Sequence, residues 1–382
     1  MKTAFFISSV GDTDLALKTI TALEKYSQHE VFIISLTNTA HQRAENYQSS
    51  LSVTQISLTK MLQLDADAYP DGALAKNQLT LVSDFLTKEK IDYAYLGVPS
   101  VQNEIPFQIA QIINIPSVIA YEFMFKPESH SLWKYLPSLR NQLNVHWGIP
   151  LASAQEDFPV AKERLHITGH LSIDNAISAN SGATTNPKEV RETLRIKQNQ
   201  SLVFASSTTQ PIEIDSEFLT CLLAELPKHP SMQVRLGLHP GIQNLDDYLQ
   251  AILKIVPHHK VADQFKIILP ENLLMRIKKP ELTINNPTYE TFFLKANLTG
   301  AEAALAADRI TQAVPGALLN QAVLEGKPTY SHRGKPYLPN QYFSNTLNAF
   351  FTATQQPPRT KDDLGLDERT APEAYASLLK GQ

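Results

Sequence analysis

"ADRITQAVPGALLNQAVLEGKPTY", residues 307–330, reads as a strand, a tight turn, a short helix and a second strand. Pro315 and Gly316 stand just ahead of the helical pattern, and Gly326-Lys327-Pro328 closes it. Pro and Gly at a helix start leave the first backbone N–H groups bare and allow close approach by a ligand. That is the geometry of an anion site, and phosphate is the usual anion. On these residues alone a plain loop-to-helix junction fits equally.

The same alternation runs outward in both directions. Upstream, "QSLVFASS", "MQVRLGLH" and "QFKIILP" read as strands, separated by the helical patterns "SEFLTCLLAELPK" and "LDDYLQAILKIV". "YETFFLKANL" reads as a helix, as does "NQYFSNTLNAFFTATQ" downstream. In the first half, "TAFFISSV", "EVFIISL", "VTQISL", "IDYAYLGV" and "IPSVIAYEF" are short apolar strands alternating with helical segments. Residues 126–165 are less regular, and "LHITGHLSIDNAI" is a strand followed by a turn. "SANSGATTNPKE", 178–189, is rich in Ser, Asn, Thr and Gly and reads as a linker. Strands alternating with helices mean βαβ units and a parallel sheet. The expectation is α/β: two doubly wound Rossmann-like domains, 1–177 and 190–355, facing a cleft, with a tail at 356–382.

Composition is compatible with this. At 382 residues, two domains are the default. Apolar residues make up 43% and charged residues 19%, as in a globular chain. The net charge of −4 argues against nonspecific nucleic-acid binding. The single cysteine, Cys221, excludes an internal disulfide and a Cys-cluster metal site, and its helical context reads as buried core. The apolar run at the start is too short for a signal sequence, and no stretch reaches the roughly 20 residues of a membrane span. A cytoplasmic protein with no transmembrane segment is expected. No H-E-x-x-H, G-x-S-x-G, P-loop or G-x-G-x-x-G occurs, so no metal and no cofactor is expected.

Three stretches carry a family resemblance. "ITGHLSIDNAI" (167–177), "RLGLHPG" (235–241) and 307–330 are similar, in order and spacing, to elements of the two-Rossmann-domain (GT-B) nucleotide-sugar superfamily. That group holds UDP-N-acetylglucosamine 2-epimerase, lipid-A-disaccharide synthase and related glycosyltransferases. "SSVGDTDLALKTITALEK", 8–25, is similar to the first strand-turn-helix of the synthase branch. The Gly-Thr-Arg-Pro-Glu start and the Asp-Ser-Gly-Gly turn of the epimerase branch are absent.

The resemblance implies a metal-independent glycosyltransferase, with a UDP-sugar donor on the second domain and an unidentified acceptor on the first. A UDP-sugar 2-epimerase or hydrolase of the same fold, or a noncatalytic nucleotide-sugar or partner-binding protein, stays open. Gly316 and Ala317 would offer N–H groups to the pyrophosphate. Gln321 aligns with the acidic residue that holds the ribose; it reaches the ribose or packs on the sheet. As a neutral amide it lacks the charge-assisted part of such a bond, on the order of 1 kcal/mol. A Glu there would tighten UDP binding if the side chain faces the ribose, or lower the melting temperature with no gain in affinity if it packs into the core.

His239 sits at the carboxyl end of a strand, where open α/β sheets bind ligands. His170 follows Gly169 at the domain crossover. Gly11, Asp12 and Asp14 form the first strand-to-helix turn, each Asp either stabilising the helix start or acting as general base on an acceptor hydroxyl. Glu122 lies close to the site acid of the epimerase branch. The hydroxyl-rich turn with Thr208 and Thr209 either receives a phosphate oxygen or is ordinary turn chemistry. Arg333 and Arg235 are candidates to neutralise a diphosphate, although Arg235 lies inside a strand.

Overall fold

The computed structural model describes residues 1–26, 29–100, 102–180, 186–208, 211–242, 244–279, 282, 286–287 and 289–380. The chain divides into two compact units, Met1–Asp174 with Lys361–Gln382, and Asn175–Thr360.

The first unit is built on seven parallel strands: β1 (Lys2–Ile7), β2 (Glu30–Ser35), β3 (Ser52–Ser57), β4 (Tyr93–Gly97), β5 (Ser117–Ala120), β6 (Val145–Ile149) and β7 (Leu165–Ile167), in the order β3-β2-β1-β4-β5-β6-β7. Parallel sheets are covered on both faces, so their strands read as near-continuous apolar runs. Ala4, Phe5, Phe6 and Ile7 of β1 are all fully buried. Phe5 pairs with Ile33 on one side and Tyr95 on the other.

The second unit repeats the plan with β8 (Ser201–Ser206), β9 (Met232–Gly237), β10 (Phe265–Leu269), β11 (Phe293–Lys295), β12 (Arg309–Gln312) and β13 (Thr329–Ser331), in the order β11-β10-β9-β8-β12-β13. Apolar clusters cover both faces of this sheet, one around Val203, Val234 and Ile267, the other around Leu202, Phe204 and Ile310.

Each sheet winds outward from its first strand and then reverses. The reversal lies between β1 and β4 in the first unit and between β8 and β12 in the second. Crevices at the carboxyl ends of such strands are where open α/β sheets bind ligands.

Four expectations are altered. "YETFFLKANL" is not a helix: Glu290–Phe292 form a 3₁₀ turn and Phe293–Lys295 the edge strand β11. Phe292, Phe293 and Leu294 are all buried, so this is an apolar run rather than an amphipathic stripe. The irregular stretch 126–165 supplies the helix Leu132–Leu139 and β6, which seats Trp147 in the core. Cys221 is exposed, because the helix Ile212–Glu225 turns Phe218, Leu219, Leu222 and Leu223 inward and leaves Cys221 on the opposite side.

The fourth concerns the tail. Residues 371–379 form a helix whose Ala371, Tyr375, Ala376 and Leu379 join the first unit's core beside Val10–Leu23. Tyr375 packs so closely on β6 that a Cβ on Gly148 would lie 2.3 Å from its ring. Asp174 accepts the Ala371 N–H at 2.7 Å and pairs with Lys361 at 2.7 Å. Of the proposed linker, 178–180 end the helix Leu171–Asn180, 187–189 open the helix Pro187–Thr193, and 181–185 lie outside the described residues.

No helix among the described residues is long and apolar enough to cross a membrane.

Candidate functional site

Each unit carries candidate residues at its own sheet reversal. In the first, β1 passes directly into the helix Val10–Leu23. Asp12 Oδ2 accepts the Ser8 N–H at 2.7 Å, and Oδ1 accepts the Ser9 N–H and hydroxyl, both at 2.6 Å. Ser9 Oγ in turn accepts the Ser100 N–H at 3.1 Å, which ties the β1 turn to the β4 turn. A Cβ on Gly97 would lie 2.5 Å from Asp12 Oδ2, so β4 must end in glycine for the two turns to meet. Asp12 is fully buried, and burial pushes its pKa up to about 6 although these hydrogen bonds favour the charged form. Both its oxygens are committed to holding the turn.

Asp14 is held bidentately by Arg43, at 2.7 and 3.1 Å. Glu122 stands two residues past β5, half-buried, against Gly11: a Cβ there would fall 2.6 Å from Glu122 Oε1. Removal from water raises the Glu122 pKa well above the usual carboxyl range, and the charges of Asp12 and Asp14 add to this. No hydrogen bond to its carboxyl group occurs among the described residues. His170 bonds the Glu122 backbone, and its Nδ1 accepts the Ser172 N–H at 3.0 Å. Desolvation pushes the His170 pKa down to about 4, so the ring is neutral at physiological pH. Gly11, Asp12, Glu122 and His170 are thus brought together, with Asp14 close by but ion-paired.

In the second unit, the turn after β8 is tied down internally. The Thr208 N–H and hydroxyl donate to Asp215 at 2.9 and 3.1 Å, and Tyr248 donates to the same carboxylate at 2.9 Å. Thr208 therefore shapes the turn; Thr209 lies outside the described residues. Ser207 Oγ accepts the His239 N–H at 2.7 Å. His239 Nδ1 accepts the Gly241 N–H at 3.0 Å, which leaves Nε2–H as the donor the ring can offer. Desolvation lowers the His239 pKa, with the Asp215 charge opposing it.

Across the reversal, Gly316 is the extended residue ahead of the helix Ala317–Leu324, with φ −147° and ψ −179°, and no side chain caps that helix. Arg333 donates its N–H to the Ala313 carbonyl at 2.7 Å, while its guanidinium pairs with Glu217. Arg235 is buried and spends its donors on the carbonyls of Leu194 and Val234, so it braces the sheet instead of meeting a ligand.

Gln321 is half-buried and does not stand alone. Its Nε2 donates to Glu325 Oε1 at 2.9 Å, and Glu325 pairs with Lys327 at 2.5 Å. A carboxylate accepts only a donor, which fixes the amide with Oε1 as its remaining acceptor. This bears on one substitution. Gln321→Glu should set two carboxylates one turn apart and lower the melting temperature by about 2–4 °C per kcal/mol lost, with no gain in UDP affinity. Adding Glu325→Gln should relieve that repulsion without restoring full stability, because Lys327 is then buried without its ion-pair partner. Thermal melts and calorimetry on the single and double variants measure both.

Sequence reasoning missed Ser9, Gln312 and Glu325. The signal at Gln312 was present: a polar side chain inside the buried run "RITQAV".

No protein-family profile matches the chain, and no curated protein matches its sequence. Solved structures do. A UDP-GlcNAc 2-epimerase from Methanocaldococcus jannaschii in complex with UDP-GlcNAc and UDP superposes with a TM-score of 0.55 at 12% identity, covering 99% of each chain. A glycosyltransferase from Rickettsia africae gives 0.54 at 10% identity, over 86% of this chain and 78% of that one. The Anabaena HepE structure in complex with UDP and glucose gives 0.52 at 15% identity, over 87% and 80%. The chain has the fold of these proteins, two Rossmann-like α/β domains of the GT-B class.

Proposed function

We propose that the protein is a UDP-sugar-dependent glycosyltransferase. Two observations, one in each domain, support this reading: an available carboxyl group at the first sheet's reversal and an uncapped helix start at the second's. Glu122 is the base. Its raised pKa makes its carboxylate a stronger base than an ordinary one toward the acceptor hydroxyl that attacks the anomeric carbon. The bond from that carbon to the β-phosphate oxygen breaks, and the nucleoside diphosphate leaves with the electron pair. The N–H groups of Gly316 and Ala317, at the positive end of a helix, hold the developing charge. Gly11 gives Glu122 room, and His170 fixes its backbone. His239 Nε2–H and Gln321 Oε1 are assigned to the donor.

Asp12 favours transfer over epimerisation. Both its oxygens are engaged by Ser8 and Ser9 in holding the turn, so the pair supplies one working carboxyl group rather than two. Calorimetric titration with UDP, followed by UDP release from UDP-sugars with and without sugar acceptors, tests the proposal. UDP binding and acceptor-dependent release are expected. Absence of nucleotide binding at millimolar concentration would sink it, and epimer formation without acceptor would replace transfer by epimerisation.

A further inference from the structure

Gln312 ends β12, in register with Ser206 at the end of β8, so it stands at the second sheet's reversal. It is only 7% exposed, and its Oε1 is buried with no hydrogen-bond partner among the described residues. The amide lies flat against Gly316: a Cβ on that glycine would sit 3.0 Å from Oε1 and 3.1 Å from Nε2. Polar atoms buried at a strand end ordinarily find partners, because leaving one without a partner is costly. Among the described residues nothing offsets this one, whereas with the amide turned over an anion seated on Gly316 would accept from its NH₂.

We propose that Gln312 is a further anion-binding residue, donating its amide N–H to a diphosphate held at the start of the helix Ala317–Leu324. The nucleotide part of this rests on the reading above; the anion part does not. The amide's two polar atoms would lie nearly equidistant from a Cβ placed on Gly316, and a half-turn about its last torsion exchanges them, bringing the NH₂ to the side where Oε1 now stands. The donors from Gly316 and Ala317 and the Gln312 NH₂ then converge on one group. Glycine at 316 serves a second purpose here, because a side chain would wedge between the amide and the anion.

The test uses inorganic pyrophosphate, UDP and uridine, titrated calorimetrically into the wild-type protein and the Gln312→Met and Gln312→Asn variants. Met keeps the volume and removes the donor; Asn keeps the donor but withdraws it by one methylene. Both are expected to bind pyrophosphate and UDP about tenfold or more weakly, since hydrogen bonds to charged groups are the strong ones, with uridine unchanged. The ligand-free Gln312→Met protein is expected to melt at the same temperature or higher, because the orphaned oxygen is gone. Equal pyrophosphate affinity in wild type and variants, a parallel loss of uridine, or no pyrophosphate binding by the wild type would each overturn the proposal. Wild-type protein that binds pyrophosphate through Gln312 but ignores UDP would keep this inference and remove the nucleotide-sugar reading. UDP binding indifferent to Gln312 would do the reverse.

Discussion

The Glu122→Gln variant is expected to lose about 10²- to 10⁴-fold in turnover, the usual worth of a positioned acid or base, and to be more stable than the wild type above neutral pH. The two effects have one origin. Glu122 is removed from water and faces the charges of Asp12 and Asp14, so the folded protein binds its proton more tightly than the unfolded chain does. A carboxyl whose folded pKa is raised contributes stability that is fully present below its unfolded pKa, near 4.5. That contribution is lost as pH rises through the folded value. Asp12, raised to about 6, titrates in the same direction. Glutamine imitates the protonated form at every pH. Melting temperatures of wild type and variant should therefore nearly coincide at pH 5 and diverge toward pH 9, with the variant higher. A variant that is less stable at pH 9 would mean that the ionised carboxylate has a stabilising partner, and Glu122 would lose its role as base.

This trade is the reason the site was only partly legible in the sequence. Strands such as "TAFFI" and "LVFAS" announce themselves because both faces of a parallel sheet must be apolar. Short β11 does not, because a strand of three residues carries no period. The turn Val314–Gly316 was readable as an exposed helix start, since Pro and Gly have local consequences. Glu122 was readable only as a carboxylate after a strand. Its contact with Gly11, more than a hundred residues away, and its hold by His170 are products of strand order. Asp12 and Asp14 looked alike in sequence, yet one is buried under three hydrogen bonds and the other is paired with Arg43. The tail helix had a local signal that went unused. "TAPE", 370–373, is a capping box, and Thr370 and Glu373 make its reciprocal bonds at 3.3 and 3.0 Å.

The largest loss of ligand affinity is expected from Gly316→Asp. The glycine is already in the extended conformation that a capping residue adopts, so aspartate enters without backbone strain. Its Cβ would stand 3.0 Å from the Gln312 amide, which can turn its NH₂ toward the new carboxylate. The carboxylate would then cap the N–H groups that glycine leaves bare, and the melting temperature should hold or rise slightly. A diphosphate placed against it would meet a like charge. At about 4 Å and an effective dielectric of about 20, that repulsion is about 4 kcal/mol. After partial screening, UDP affinity should fall about 10²- to 10³-fold, while uridine, which carries no phosphate, should bind as before. Gly316→Asn separates the two causes, because asparagine caps as well as aspartate but bears no charge. If the variants lose UDP equally, competition for the N–H groups accounts for the effect. If Asp loses far more than Asn, charge does. If neither loses UDP, no phosphate sits on this helix, and the donor site must be sought elsewhere in the second domain.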